Sequence, residues 1–260
     1  MGMFSSTSEA GMKHHKTLLY AHHGFGKTYQ CRFYADNYGK GLILSGESGL
    51  ASLSDVDIDY VEFHMWDETM NPKLAKKLPT GGYSFTGIVK LINSDEFKKQ
   101  NYKWIAIDSL TEMSDRCMKD VESSFDQPTD MRKWQVYENQ MMGALKFIRD
   151  LPMEVFVTCL AKEEKNDNDA HEYWPMVQQT KVAKKLPALF DHVFCGLRST
   201  DDSSSDIQVN RQIVTDHVYG WHGKTRDPSN CLDPIEKGGN IVELLKRIQN
   251  PKKSEEKIND

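Results

Sequence analysis

Short apolar runs alternate along this chain with longer stretches in which apolar residues recur at helical spacing. The apolar runs predict buried strands at residues 16–20, 41–45, 60–64, 104–107, 155–158 and 192–197. The amphipathic stretches predict helices at residues 27–38, 85–93, 110–123, 133–150 and 181–190, whereas the polar segments 66–86 and 162–179 predict loops. Strands that alternate with helices are typical of an α/β fold, in which helices cover both faces of a mainly parallel sheet. Residues 207–215 follow a Ser/Asp-rich turn and predict antiparallel strands at one edge.

The domain organisation follows from length and from the two polar ends. A chain of 260 residues can bury one large core, and the alternating pattern runs without a break from residue 13 to residue 250. Residues 1–12 are small and polar, and residues 251–260 are mostly charged. We therefore expect a flexible N-terminal segment, a single α/β domain and a charged tail.

Composition narrows the classes of function. The chain carries 33 Lys and Arg against 38 Asp and Glu, a net charge of -5, so any contact with nucleic acid must come from a local basic patch. The five cysteines form no CxxC pair, which argues against a disulfide framework and a zinc site and is typical of reduced thiols in the cytoplasm. No run approaches the roughly 20 apolar residues of a membrane span, so we expect no membrane association.

The most informative motif is the segment Ala21–Thr28, AHHGFGKT, which follows a predicted strand and opens a predicted helix. Glycines in such a loop let the backbone wrap a phosphate with several N–H groups pointing inward, and the helix adds its positive end. Alanine replaces the usual first glycine and is sterically mild. The motif predicts an ATP site in which the lysine reaches the β- and γ-phosphates and the threonine hydroxyl ligates Mg²⁺. The predicted ATP-binding residues are His23, Gly24, Phe25, Gly26, Lys27 and Thr28.

Two carboxylates complete the predicted site. Asp108 ends the apolar run WIAID, where it would hold Mg²⁺ directly or through water. A hydrolase also needs a group that orients or deprotonates the attacking water. Glu47 follows the apolar run GLILS and is the first candidate, and Glu112 is the second.

In their order along the chain, these motifs resemble the core of the RecA-type recombinases. AHHGFGKT is followed by LILSGE, WIAIDS and VFVTC, and then by KVAKKLPALFDHVFCGLR after a polar segment. The resemblance spans residues 16–249, although the phosphate loop is its one specific motif. In its short length the chain resembles a minimal phage-encoded branch of the family, the RecA-like single-strand annealing ATPases. The resemblance implies a RecA-like P-loop NTPase core that uses ATP and Mg²⁺ and acts in the cytoplasm, that of a bacterial host if the chain is phage-encoded.

The resemblance also implies how copies of the chain would cooperate. The segment GKTRDPSN resembles the basic stretch by which one RecA-type subunit reaches the nucleotide of its neighbour, so Lys224 and Arg226 would act in trans on the transferring phosphoryl group. The family usually has a Gln or His γ-phosphate sensor near the end of the VFVT strand. Thr158, Cys159 and Leu160 occupy that region here, a departure from the family pattern.

By the same resemblance, single-stranded DNA would bind at residues 123–133 and 162–181. The basic and aromatic residues that suit backbone neutralisation and base stacking are Arg132, Lys133, Lys162, Tyr173 and Trp174. The second segment also contains several Asp and Glu residues, which repel phosphate unless they face away. The implied assembly is a homo-oligomer on single-stranded DNA with nucleotide at each interface, and a single-strand-binding protein is the implied loading partner.

Two other functions remain open at this point. A nucleotide-gated scaffold would bind ATP and change its affinity for a partner with little hydrolysis, and the unusual sensor region and acidic second segment favour it. A small-molecule P-loop kinase needs clustered arginines on a lid, whereas the arginines of this chain are scattered through the sequence.

Overall fold

The computed structural model describes residues 13–47, 49–76, 83–127, 129–201 and 208–251. The predicted N-terminal segment 1–12 and residues 252–260 of the predicted tail lie outside the described residues. The strands are β1 Lys16–Ala21, β2 Gly41–Ser45, β3 Asp59–Met65, β4 Tyr83–Ser84, β5 Trp104–Asp108, β6 Glu154–Lys165, β7 His171–Pro175, β8 His192–Asp201, β9 Gln208–Val214, β10 His217–Val218, β11 Trp221–His222, β12 Lys224–Thr225 and β13 Ile235–Lys237. The helices are α1 Gln30–Tyr38, α2 Pro72–Ala75, α3 Phe85–Ile92, α4 Asp95–Gln100, α5 Leu110–Ser123, α6 Arg132–Arg149, α7 Thr180–Lys185 and α8 Ile241–Gln249.

The strands form a mixed sheet in the order β13-β9-β8-β1-β6-β5-β2-β3-β4. The strands from β8 to β4 run parallel to their neighbours on this path, whereas β9 and β13 are antiparallel. This confirms the predicted α/β class and the antiparallel edge after residue 207. Because β6 lies between β1 and β5, the carboxyl ends of β1 and β5 lie on either side of β6 at one edge of the sheet.

Alternate residues of β1 enter two separate hydrophobic cores. Leu18 and Tyr20 pack with α3, α5 and α6 on one face, and Leu19 and Ala21 pack with α1 and α8 on the other. All four side chains are fully buried. A strand that is buried on both faces reads as a continuous apolar run, which explains why the sequence located it correctly.

The prediction of a polar loop at residues 162–179 was wrong. β6 continues to Lys165, and residues Ala161–Lys165 pair antiparallel with His171–Pro175 to form a β-hairpin. Its turn places Asp169 at a φ of 58°. Charged residues cover this ribbon, and a hydrogen bond joins the side chains of His171 and Glu163 across it. A two-stranded ribbon with so little apolar content has no strand signature that periodicity can detect.

Other differences are smaller. The predicted helix at residues 181–190 is α7 followed by a 3₁₀ turn at Leu186–Ala188, in which Pro187 prevents continuation of the α-helix. The predicted loop at residues 66–86 contains α2 and β4, and residues 77–82 of it lie outside the described residues. In the part of the chain that the structure describes, no helix combines the length and the apolar character that a membrane crossing requires.

Candidate nucleotide-binding site

The loop between β1 and α1 has the backbone of a phosphate cradle. Gly24 and Gly26 adopt φ values of 78° and 98°. This region of backbone conformation favours glycine, because glycine has no Cβ atom. Backbone hydrogen bonds from residue i+3 to the carbonyl oxygen of residue i begin at Lys27, the predicted start of the helix. The α-helix α1 itself begins three residues later, at Gln30. His23 is exposed, whereas the side chain of Phe25 is buried.

Phe25 fixes the loop to the sheet. Its ring is 2% exposed and lies against Gly196 of β8, where a Cβ atom would be 2.7 Å from three ring carbons. Arg211 of β9 donates a hydrogen bond from Nε to the Phe25 carbonyl oxygen at 3.0 Å. The loop is therefore held by two strands that lie far from it in sequence.

Replacing Gly196 with alanine should displace Phe25 and loosen the phosphate loop. Cβ contacts below 3 Å force neighbouring atoms to move, and overpacking of this kind costs about 1–3 kcal/mol. We expect a lower free energy of unfolding together with weaker ATP binding, measured by urea denaturation and isothermal titration. Gly143→Ala is the matched control, because Gly143 has open space around it in α6 and alanine there should stabilise the protein. Unchanged stability and ATP affinity in Gly196→Ala would contradict the anchoring role of Phe25.

Lys27 lies at the carboxyl end of β1, as the motif predicts. Its Nζ donates hydrogen bonds to the carbonyl oxygens of Ala21 and His22 at 3.1 and 3.2 Å. Burial lowers the pKa of the ammonium group from its ordinary value. A cation that the loop holds at its centre is suited to the β- and γ-phosphates of a nucleotide.

Asp108 lies between two threonine hydroxyls. Thr28 donates to Oδ2 of Asp108 at 2.8 Å, and Thr158 donates to Oδ1 at 2.5 Å. Burial raises the pKa of the carboxyl group, and the nearby charge of Glu47 raises it further, whereas the two hydrogen bonds oppose this change. A hydroxyl and a carboxylate oxygen at the end of a phosphate loop are the donor types that Mg²⁺ prefers, so these residues fit the metal.

Thr158 has a role that the sequence interpretation missed. It lies on β6, which separates β1 from β5, and its buried hydroxyl orients the Asp108 carboxylate. The sequence interpretation noted only that residues 158–160 lack the expected Gln or His sensor. The order of the strands in the sheet would have been needed to place Thr158 beside Asp108.

The two candidate carboxylates for water activation, Glu47 and Glu112, have different hydrogen-bond partners in the structure. Ser109 donates a hydrogen bond to Oε1 of Glu47, which brings this carboxylate next to Asp108. The Asp108–Ser109 peptide bond is cis. Glu112 instead accepts a hydrogen bond from Nη2 of Arg116 at 3.2 Å, and the same nitrogen donates to the Gly46 carbonyl oxygen at 2.8 Å. The geometry therefore favours Glu47 over Glu112.

Comparison with known proteins identifies the family of the chain. A protein family model described as an AAA domain matches residues 13–226. The chain belongs to this AAA domain family. It is thus a P-loop ATPase domain, and the match covers the phosphate loop, Glu47 and Asp108.

Two further comparisons are less informative. No curated protein matches the chain significantly. Among solved structures, a KaiC-like protein from the hyperthermophilic archaeon Pyrococcus horikoshii is similar to the chain, with 12% sequence identity and a TM-score of 0.44. That match covers 86% of this chain and 89% of the other.

A cavity of about 580 Å³ opens beside the phosphate loop of the AAA domain, between α1, β9 and the start of α8. Its lining is mostly apolar and includes Phe25, Gly26, Tyr29, Phe33, Arg211 and Asn240. Most of these residues lie outside the AHHGFGKT motif. Sequence reasoning could not find the cavity, because β9 and α8 are about 180 residues or more from the loop.

The AAA domain does not bring Lys224 and Arg226 to its own phosphate loop. β12 pairs with the start of β8, with Thr225 opposite His192, whereas the end of β1 lies opposite Gly196. Lys224 donates to the carbonyl oxygens of Pro187 and Phe190, and Arg226 forms an ion pair with Asp191 at 3.1 Å. Action in trans stays a prediction.

The basic residues predicted to bind DNA all have acidic neighbours. Arg132 pairs with Asp130 at 2.6 Å, Lys133 pairs with Glu122 at 2.7 Å and Lys162 pairs with Glu164 at 2.6 Å. Surface ion pairs of this type are weak, so a polyanion can compete for the cations. These three residues stay candidates for DNA contact.

The two predicted aromatic residues belong to a stacked cluster. The ring of Tyr173 stacks on Trp221 with centroids 4.4 Å apart, and Trp174 stacks on His222 at 3.5 Å. The Tyr20 hydroxyl donates to the Tyr173 carbonyl oxygen and accepts from the backbone N–H of His222. Because Tyr20 immediately precedes Ala21, the β6–β7 hairpin is connected to the start of the phosphate loop.

Proposed function

We propose that this AAA domain hydrolyses ATP with Mg²⁺, assembles on single-stranded DNA as a homo-oligomer and promotes annealing or recombination. The observation that carries the hydrolytic part is the convergence of Lys27, Thr28, Asp108 and Glu47 at one edge of the sheet. A cation, a metal-binding pair and a carboxylate near the metal-binding pair are the groups that phosphoryl transfer to water requires.

Each residue has a separate task in this proposal. The loop N–H groups and Lys27 bind the phosphates, and Thr28 and Asp108 hold Mg²⁺, which would neutralise charge on the β- and γ-phosphates. Glu47 accepts a proton from the attacking water, and Ser109 keeps its carboxylate in place. The adenosine would enter the mostly apolar cavity beside Tyr29 and Phe33.

The oligomeric part rests on the position of Lys224 and Arg226. Register places them near the start of β8, about four residues or ~13 Å of strand away from the level of the phosphate loop. A role in phosphoryl transfer therefore requires the nucleotide of a second copy. Arg226 retains an exposed guanidinium group for such a contact, with a side chain 62% exposed.

The DNA part rests on contacts between the elements that carry the two predicted DNA segments. α6 begins at Arg132 and contacts α7 through ion pairs of Glu138 with Lys181 and Lys185, so the two predicted DNA segments belong to neighbouring elements. The connection through Tyr20 offers a path by which the hairpin and the phosphate loop would influence each other. A single-strand-binding protein is the proposed loading partner.

A nucleotide-gated scaffold is the second candidate function. The observation that favours it is the charge of the β6–β7 hairpin, where Glu163, Glu164 and Glu172 accompany the basic residues. On this alternative, ATP binding would change the hairpin and its protein partner, and hydrolysis would be slow and independent of DNA.

ATP hydrolysis by the purified chain, measured with and without single-stranded DNA, tests the proposal. Lys27→Ala serves as the blank, because it removes the cation that contacts the phosphates. We expect DNA to raise the turnover severalfold and the variant to be inactive. If the chain binds ATP but DNA leaves the rate unchanged, the DNA part is refuted and the scaffold is favoured.

A further inference from the structure

An arginine beside the phosphate loop has no partner within the described part of the chain. Arg198 lies on β8 and is exposed, and it forms neither a hydrogen bond nor an ion pair with a described residue. A Cβ atom placed on Gly24 would be 3.1 Å from Nη1 of Arg198, so the guanidinium group lies directly against the loop backbone. No described carboxylate neutralises the charge of this guanidinium group beside the loop.

A second arginine lies directly opposite the first. Arg198 and Arg211 are cross-strand partners in the antiparallel pair of β8 and β9. Like charges in directly opposed positions destabilise a sheet. Arg211 also forms no ion pair with a described carboxylate, and its Nε is bonded to the Phe25 carbonyl oxygen. Arg198 and Arg211 are thus adjacent cations without a described carboxylate partner, and Arg211 is hydrogen-bonded to the phosphate loop. Such a pair of cations is suited to bind an anion.

We propose that Arg198 is a phosphate ligand in cis, which donates hydrogen bonds to the polyphosphate chain of the nucleotide in its own P-loop. Arg211 is the positioning residue, because its bond to Phe25 fixes the loop relative to β9. The inference rests on the proposed binding of ATP and adds a cationic ligand outside the AHHGFGKT motif. The ligand class is a nucleoside di- or triphosphate, and the contacted group is phosphate and not the base.

Isothermal titration of the full chain with ATP, ADP and inorganic tripolyphosphate, each with Mg²⁺, tests this assignment. A charge-assisted contact of this kind corresponds to about a 10- to 100-fold change in affinity. We expect Arg198→Ala to weaken all three ligands by this factor, and Arg198→Lys to retain part of the affinity because it keeps the charge. Arg149→Ala is the control, since Arg149 is an arginine that pairs with Asp150 at the opposite edge of the sheet.

The three ligands distinguish the possible failures. Equal affinities of Arg198→Ala and the unaltered chain for every ligand would overturn the assignment. A loss for ATP and ADP without a loss for tripolyphosphate would also overturn it, because Arg198 would then contact the adenosine. If the unaltered chain bound none of the ligands, the proposed function would fail together with this inference. Thermal unfolding of each variant, compared with that of Arg198→Lys, separates lost contacts from lost folding.

Discussion

Replacing Glu47 with glutamine should lower the rate of ATP hydrolysis by about 10²- to 10⁴-fold, the usual contribution of a general base. Glutamine keeps the size of the side chain and can accept the hydrogen bond from Ser109, so the fold and the binding of ATP should persist. What disappears is the carboxylate that removes a proton from water. Single-turnover hydrolysis and ATP titration, carried out on the same preparation, separate these two effects.

Glu112→Gln is the matched control for this prediction. Glu112 is a neighbouring carboxylate on α5, but it is paired with Arg116 and not with Ser109. We expect this variant to keep a hydrolysis rate within a few-fold of the unaltered chain. If Glu112→Gln were inactive and Glu47→Gln active, the roles of the two carboxylates would have to be exchanged.

Asp108→Asn should reduce hydrolysis by about 10²-fold, because it removes the negative charge that holds Mg²⁺ beside Thr28. The same change should leave the protein without nucleotide as stable or more stable at pH 7.5. Burial raises the pKa of Asp108 above its ordinary value of 3.8, so the folded state loses stability as the pH rises from that value through the raised pKa. Asparagine carries no such cost and can still hydrogen-bond both threonine hydroxyls.

Opposite effects on activity and stability distinguish a metal-binding carboxylate from a structural one. Asp120 is the comparison, since it is also buried but accepts hydrogen bonds from the backbone N–H groups of Trp66 and Asp67, both at 2.9 Å. We expect Asp120→Asn to lower the unfolding midpoint and to leave the Mg²⁺ dependence of hydrolysis unchanged. A lower midpoint for Asp108→Asn, with a normal Mg²⁺ titration, would contradict the assigned role.

Buried parallel strands and the phosphate loop were predictable for clear physical reasons. β2 and β5 are apolar at nearly every position because helices cover both of their faces, and the helix α5 matches its predicted bounds, Leu110–Ser123. The loop could be located because phosphate binding constrains residue types at fixed short spacing. Asp108 could be located in the same way, because it ends the apolar run that forms β5.

The exposed hairpin shows where such prediction stops. β7 and the end of β6 gain their strand conformation from pairing with each other and from the stacking of Tyr173 on Trp221. The pairing has no local pattern, because charged residues dominate the end of β6. The stacking has none, because Tyr173 and Trp221 are about 50 residues apart in the sequence. α8 was also missed, although its apolar face packs against α1 and Asn240 caps it by accepting from Val242.

The sequence by itself determined the α/β class, the phosphate loop and the identity of the nearby carboxylates, since these depend on local patterns of burial and spacing. Tertiary structure decided which groups surround the phosphates. The choice of Glu47 over Glu112, the contact of Thr158 with Asp108 and the approach of Arg198 to Gly24 all depend on strand order. Strand order places residues from distant parts of the chain side by side, and it is fixed by the packing of the whole sheet and not by any local segment.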